Sequence, residues 1–274
     1  GDLVTTVVYG GEGDDVLHGE GGDDRFVGGA GQDEHFGGIG LDTVDYGGHE
    51  IPEKAGDAVG VHVNLAANLG LHGDAEGDTY SQIENLIGTA ADDILIGDGM
   101  DNHLVGTMGN DILAGGAGTD ILDGGSDIDT ADYSGETGAV NVFLSDVQDH
   151  GGDIGFASKV TGSTSGTDYL KSIENVIGGT AADVLSGDAG ANRLEGRGGS
   201  DRIAGLAGDD TLSGGADSDI LDGGADIDTA DYSGETGAVN VFLFNVANFG
   251  GDIGLASLTA GVTSGSDYLK SIEN

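Results

Sequence analysis

Thirteen aspartates stand at one fixed position of a nine-residue unit that recurs fifteen times along this 274-residue chain. Each unit approximates GGxGxDxUx, with U a large apolar residue; the cleanest copies read GGEGDDVLH from Gly10 and GGAGTDILD from Gly115. Units begin at Gly10, Gly19, Gly28 and Gly37, then at Gly88, Gly97, Gly106, Gly115 and Gly124, and finally at Gly178, Gly187, Gly196, Gly205, Gly214 and Gly223. Glycine opens all fifteen, and aspartate holds position six in all but two, where Asn102 and Asn192 replace it. A carboxylate is a hard, anionic oxygen donor, the kind that calcium gathers in a shell of about six to eight oxygens. Glycine lets the first six residues turn sharply and bring carbonyl oxygens to one spot, because no Cβ obstructs the backbone. Acid and glycine at set offsets of a fixed period define a β-solenoid in which the repeat itself carries the function.

The last three residues of each unit predict a short strand whose eighth position points into a thin core. Those positions are Leu17, Phe26, His35, Val44, Leu95, Leu104, Leu113, Leu122, Ala131, Leu185, Leu194, Ile203, Leu212, Leu221 and Ala230. The fourth position departs from glycine at Ala91, Met100, Asp127, Ala181, Asp217 and Asp226. Blocks two and three also open on degenerate units, including the two asparagines, so weak or absent ion binding is expected there.

With these motifs the chain resembles the RTX (repeats-in-toxin) family, over about half its length by nonads and nearly all of it with the intervening segments. The resemblance implies an all-β fold, a right-handed parallel β-roll or β-solenoid of three nonapeptide blocks separated by β-rich spacers. Two nonads then make one coil, and Ca2+, several ions in all, lies between neighbouring turns on one side. Carried onto this sequence, the carboxylate ligands would be Asp15, Asp24, Asp33 and Asp42; Asp93, Asp111, Asp120 and Asp129; and Asp183, Asp201, Asp210, Asp219 and Asp228. Turn carbonyls would complete the shells, among them those of Gly11, Gly13, Gly29, Gly31, Gly116, Gly118, Gly199 and Gly208.

Two periods are superimposed. The stretch IDTADYSGETGAVNVFL occurs at 128–144 and again unchanged at 227–243, and SIEN at 172–175 returns at 271–274, both offset by 99 residues. A looser copy comes first: DTVDYGG at 42–48, VHVNL at 61–65 and QIENLIG at 82–88. The expected organisation is an end of a preceding unit (1–9), block one (10–46), spacer one (47–87), block two (88–133), spacer two (134–177), block three (178–232) and a truncated spacer three (233–274). Within a spacer, Val140, Val142 and Leu144 alternate with Asn141 and Phe143, which suits a half-buried strand. Gly151, Gly152 and the Gly/Ser/Thr-rich 162–167 suggest loops, and the Ile-Glu-Asn segment before each block suggests a strand leading into the solenoid. No segment has a helical period of useful length.

Composition narrows the function. Fifty acidic against eight basic residues give a formal charge of −42, which opposes compaction unless cations neutralise it. It argues against nucleic acid and anionic membrane surfaces as partners, and without calcium the chain is expected to be disordered. There is no cysteine for disulfides or thiolate sites, one proline against fifty-seven glycines excludes collagen and polyproline, and no apolar run is long enough to be a transmembrane segment. The chain opens with Gly1 and stops inside a unit at Asn274, and so reads as a piece of something longer.

Catalytic chemistry is not expected. His49-Glu50 is not followed by the residues of HExxH, no GxGxxG or P-loop occurs, and the acidic strings fail the EF-hand spacing. His35 occupies an inward position and is expected to pack there, the other histidines on the surface. Tyr46, Tyr133 and Tyr232 recur after each block and read as packing or capping elements. No nucleophile has a paired base, so catalytic residues are none.

The reading that follows is a non-catalytic, calcium-binding repeat region of a secreted bacterial protein, extracellular or at the cell surface, exported by type I secretion and folding on calcium outside the cell. Near-identical modules suggest a surface layer, fibre or adhesin, with self-association into a fibre or surface array, or a cell-surface or matrix polysaccharide, as partners besides calcium. The alternative is the accessory region of a secreted protease, lipase or alginate epimerase whose catalytic domain lies elsewhere. A pore-forming toxin is the weaker third reading, since no amphipathic helical segment is present.

Overall fold

The computed structural model describes residues 4–48, 59–144, 154–160, 166–234, 238–244, 253–259 and 266–273. Every regular element among them is a β-strand except one 3-10 turn, Gly73–Ala75. The chain divides into two compact units, Gly1–Thr130 and Ala131–Asn274, the boundary falling inside the last nonad of the second block.

Each nonad spends its first six residues on a turn and its last three on a strand whose middle residue faces inward, as in Ile94–Ile96, where Leu95 is buried between half-buried neighbours. A strand then stacks in parallel on the strand two nonads later. The register is Val7↔Arg25, Val16↔Glu34, His103↔Ile121 and Arg202↔Ile220, an offset of 18 residues in each case. Alternate nonads thus build opposite walls, as two nonads per coil require. In the first unit one wall runs through Val7–Glu12, Arg25–Ala30, Thr43–Asp45 and Asn85–Ile87 to His103–Met108 and Ile121–Ser126. In the second, Val184–Ser186, Arg202–Ala207 and Ile220–Ala225 form one wall, with Asn175–Ile177, Arg193–Glu195, Thr211–Ser213 and Thr229–Ala230 opposite. The fold is an all-β parallel β-roll.

The core is the eighth position. Fourteen of the fifteen residues expected there are buried, from Leu17 at 6 % exposed to twelve that are fully enclosed; only Ala230, in a two-residue strand, stays half-buried.

Spacers are not simple extra coils. Ala139–Phe143 runs antiparallel to Ile154–Val160, which runs antiparallel to Thr167–Lys171, and the other edge of Ala139–Phe143 pairs in parallel with Val184–Ser186 of the next block. The third spacer repeats the plan: Ser266–Lys270 lands in parallel on Ile220–Ala225, then pairs with Ile253–Thr259, which pairs with Ala238–Phe244. The alternation read from the sequence holds, with Val140, Val142 and Leu144 buried and Asn141 and Phe143 half-buried. Thr167, expected in a loop, begins a strand; Gly151, Gly152 and 162–165 lie outside the described residues. The segments before the blocks become strands at Asn85 and Asn175, one residue after the glutamate.

Glycine at positions two and four serves the turn's backbone: Gly11 and Gly13 sit at φ of 112° and 101°, Gly116 and Gly118 at 86° and 109°. Where another residue takes one of these positions, several turns keep the left-handed conformation, notably Thr107 at φ 90° and the exposed Leu206 at 84°. A non-glycine residue there costs about 1–2 kcal/mol, partly offset because glycine has more freedom to lose on folding. Leu206→Gly is therefore expected to raise the denaturation midpoint of the calcium-loaded protein, by several tenths of a kcal/mol, and Leu206→Ala is not. A glycine variant no more stable than the alanine variant would show the turn to be unstrained.

Candidate metal centre

The position-six side chains form ladders along each wall. Asp15 N–H donates to Asp33 Oδ1 (2.9 Å), and Asp33 N–H donates to Asp78 Oδ1 (2.8 Å). On the opposite wall Asp24 N–H donates to Asp42 Oδ1 (2.8 Å) and Asp42 N–H to Glu84 Oε2 (2.9 Å). Asp93, Asp111 and Asp129 repeat the pattern, as do Asp183, Asp201, Asp219 and Asp267, and also Asn192, Asp210, Asp228 and Glu273. Asn102 N–H likewise reaches Asp120 Oδ1 at 2.9 Å. Twelve of the thirteen aspartates are buried; Asp15, in the first coil, is half-buried.

One oxygen of each carboxylate from Asp24 to Asp228 is thus consumed by the fold, and the other decides the chemistry. The Oδ2 atoms of Asp15, Asp24, Asp33, Asp42, Asp111, Asp201, Asp210 and Asp228 are buried with no hydrogen-bond partner. They face the opening glycine of their own unit. A Cβ on Gly10 would sit 2.9 Å from Asp15 Oδ2 and 2.5 Å from the carbonyl of Gly28, and one on Gly19 would sit 2.5 Å from Asp24 Oδ2 and 2.7 Å from the carbonyl of Gly37. The same pairing recurs at Gly106, Gly196 and Gly205, where the unit's own aspartate and the carbonyls of Gly124, Gly214 and Gly223 converge. Position one is therefore glycine for want of room and not for backbone freedom. A buried anionic oxygen left unpaired is costly, and an anionic and a neutral hard oxygen meeting at one point suit calcium. The residues present fit the ion.

Of the turn glycines expected to lend carbonyls, Gly11 and Gly13 direct theirs at Gly29 and Gly31 of the coil above. Gly116, Gly118, Gly199 and Gly208 receive the carbonyls of Asp98, Met100, Ala181 and Gly190. The carbonyls converging with the free oxygens of Asp15, Asp24, Asp111, Asp201 and Asp210 belong to position one, which the motif alone did not single out; at Asp42 and Asp228 the carbonyl is that of Gln82 or Ser271 in the spacer.

Four turns differ. Asp93 Oδ1 accepts from Val61 N–H (2.6 Å) and Oδ2 from Thr89 N–H (2.6 Å); Asp183 accepts from Val140 N–H (2.8 Å) and Gly179 N–H (2.7 Å). Both oxygens of each are engaged by the chain. In the next units Asn102 Nδ2 donates to Glu84 O (2.9 Å) and Asn192 Nδ2 to Glu174 O (2.8 Å), while their Oδ1 atoms accept from Asp98 and Asp188 N–H. These are the opening units of blocks two and three, and none of their turn residues has a positive φ. They adopt another turn that answers its own polar groups.

The ladders also end on acids that nonad counting missed. Asp78 and Glu84 close the first block, and Asp267 and Glu273 the third. The available signal was the D-x-U triplet six residues before each glutamate: Asp78-Thr79-Tyr80, Asp168-Tyr169-Leu170 and Asp267-Tyr268-Leu269. The capping role of Tyr46 is visible, its hydroxyl donating to Asp78 Oδ2 at 2.7 Å; Tyr133 is buried and Tyr232 half-buried.

Burial pushes the carboxyls of the metal-free roll upward from their ordinary 3.8: Asp201 to about 8, Asp111 to about 7 and Asp210 to about 6, with neighbouring carboxylates adding to the rise. A raised folded-state value stabilises the fold below the ordinary value, and that contribution is lost as pH climbs through 6 to 8. In chelator, acidification from pH 8 towards 5 is therefore expected to increase β-structure, whereas the calcium needed for folding rises because protons compete for the same oxygens. Circular dichroism across that range checks both, and Asp201→Asn should flatten the dependence; an unchanged slope would assign it to net charge alone.

Parallel coils, carboxylate ladders and ion-ready turns define a calcium-binding β-roll. The family model of the RTX calcium-binding nonapeptide repeat matches four stretches, 5–34, 96–131, 173–203 and 195–230, and the chain belongs to that repeat family. No curated protein matches it. RTX repeats bind calcium, are typical of secreted proteins and are typically non-catalytic regions. Among the described residues no helix is long and apolar enough to cross a membrane.

Proposed function

We propose that this chain is a non-catalytic structural region that leaves the cell unfolded by type I secretion and folds on external calcium into part of an extracellular fibre, surface layer or adhesin. The observation that carries the calcium-dependent step is the set of buried Oδ2 atoms without partners, from Asp15 to Asp228. At low calcium they oppose the fold; at high calcium they become ligands, Asp15, Asp24, Asp42, Asp111, Asp201, Asp210 and Asp228 first among them. Ca2+ supplies charge compensation that the chain's eight basic residues cannot.

The assembly reading is supported by the spacer joint. Val140 and Leu144 direct their N–H groups across to Asp183 Oδ1 and Ser186 O, at 2.8 and 2.9 Å, and so receive the next block. Their counterparts 99 residues on, Val239 and Leu243, lie in Ala238–Phe244, which ends the sheet order and pairs on one side only among the described residues. An open strand edge of this kind accepts a strand from a further module or a second copy. Sedimentation velocity is expected to show calcium-dependent association that Leu243→Pro abolishes. A wild-type protein that stays monomeric at high concentration with calcium would reject the assembly and leave the accessory region of a secreted enzyme. Turnover of alginate, casein or a lipid ester that a point substitution within 1–274 removes would reject the non-catalytic reading.

A further inference from the structure

One coil of the first block differs chemically from the other turns. Position eight is aliphatic or phenyl in fourteen nonads and imidazole in one, His35. The ring lies in the core, 1 % exposed, stacked on Tyr80 with centroids 5.6 Å apart and edge-on to Phe26 at 6.0 Å. Its Nδ1 lies 3.3 Å from the carbonyl of Thr79, an acceptor only, so the proton belongs on Nδ1 and the Nε2 lone pair points the other way. That Nε2 is buried and has no hydrogen-bond partner. Asp33 Oδ2, also buried and without a partner, faces the same bare side of Gly28, where a Cβ would sit 3.0 Å from Nε2 and closer still to the carboxylate. Asp78 completes the group: one ligand atom each from Asp33, His35 and Asp78 lies within 4.8 Å of the others. Each Asp78 oxygen accepts one hydrogen bond, from Asp33 N–H (2.8 Å) and Tyr46 Oη–H (2.7 Å), and keeps a lone pair to give.

Three buried lone-pair donors within 4.8 Å of one another repel unless a cation lies among them. Calcium takes oxygen ligands. An imidazole nitrogen with two carboxylates is instead a donor set for a borderline first-row divalent ion, zinc above all. The surroundings are those that orient metal-bound histidine and carboxylate, namely a carbonyl on the far ring nitrogen and a phenol on the carboxylate. We infer that Asp33, His35 and Asp78 form a zinc-type site, selective over calcium, that locks the first block to its spacer by joining residues 45 apart in the chain.

The test uses the whole chain with calcium in excess, titrated with Zn2+ by calorimetry and with Co2+ by its visible absorption. His35→Leu is the decisive variant, because leucine is the usual residue at this position and preserves the core; Asp78→Asn, which keeps an acceptor for Asp33 N–H, is the second. The wild type should take up one tight equivalent in the presence of calcium, and each variant should weaken it at least about tenfold while the calcium-loaded circular dichroism spectrum is retained. Equal Zn2+ binding by the wild type and His35→Leu would overturn the site, placing the metal on other histidines. Displacement of the bound Co2+ by calcium, or a Co2+ spectrum unchanged in the His35→Leu variant, would also overturn it, leaving an ordinary oxygen-only calcium turn.

Discussion

In excess chelator near pH 8, far-ultraviolet circular dichroism is expected to show a largely disordered chain, and calcium is expected to convert it to a β-rich one. The effect should be close to all-or-none within a block. A formal charge of −42 and one core side chain per nonad leave little to hold the apo roll together, and every coil with a free Oδ2 buries an anion whose effective penalty is several kcal/mol. Ion binding is therefore folding free energy. The transition is expected between about micromolar and millimolar calcium, with magnesium much less effective because it demands tight octahedral geometry and sheds water reluctantly. A fully folded spectrum in chelator at that pH would refute the dependence.

The second large effect separates two kinds of position-six aspartate that look alike in sequence. Asp201→Ala and Asp210→Ala remove an unpartnered Oδ2 and are expected to lower the number of calcium ions bound and shift folding to higher calcium. Asp183→Ala removes a carboxylate whose two oxygens hold Val140 and Gly179 N–H. It should cost about 1–3 kcal/mol for the stranded donors with the ion count unchanged. Calcium counted by equilibrium dialysis and stability followed by denaturant unfolding distinguish the two outcomes. Equal loss of ions in all three variants would mean that the opening turns bind like the rest.

The roll itself was legible in the sequence because its decisive contacts are periodic. A nine-residue unit fixes the turn, the inward residue and, through pairing two units on, the register; hence Leu95, Leu104 and Leu113 were placed in the core and are fully buried. The opening turns, where weak ion binding is expected, also differ in their backbone, which carries no positive φ. What escaped lies where contacts leave the period. Asp78 meets Asp33 across 45 residues and Glu84 meets Asp42 across 42, separations set by spacer length. The antiparallel strands Ile154–Val160 and Ile253–Thr259 inside a mostly parallel wall were equally hidden, since alternation reveals a strand and not its direction. His35 was placed correctly in the core, but its free nitrogen depends on where Thr79 and Asp78 fall.

The turns around Asn102 and Asn192 give blocks two and three something the first block lacks. There the asparagine amide closes the ladder on the carbonyl of Glu84 or Glu174 and its oxygen accepts from Asp98 or Asp188 N–H, so no side-chain oxygen is left unanswered, whereas Asp15 and Asp24 begin the first block with unanswered oxygens. In a stacked array the first layer is the slow one to form and later layers grow on it. Blocks two and three thus carry a built-in seed at their upstream ends, on which later coils can stack one after another. Order in these blocks is expected to spread as a front from a fixed origin, with the first block, unseeded, waiting for its ions.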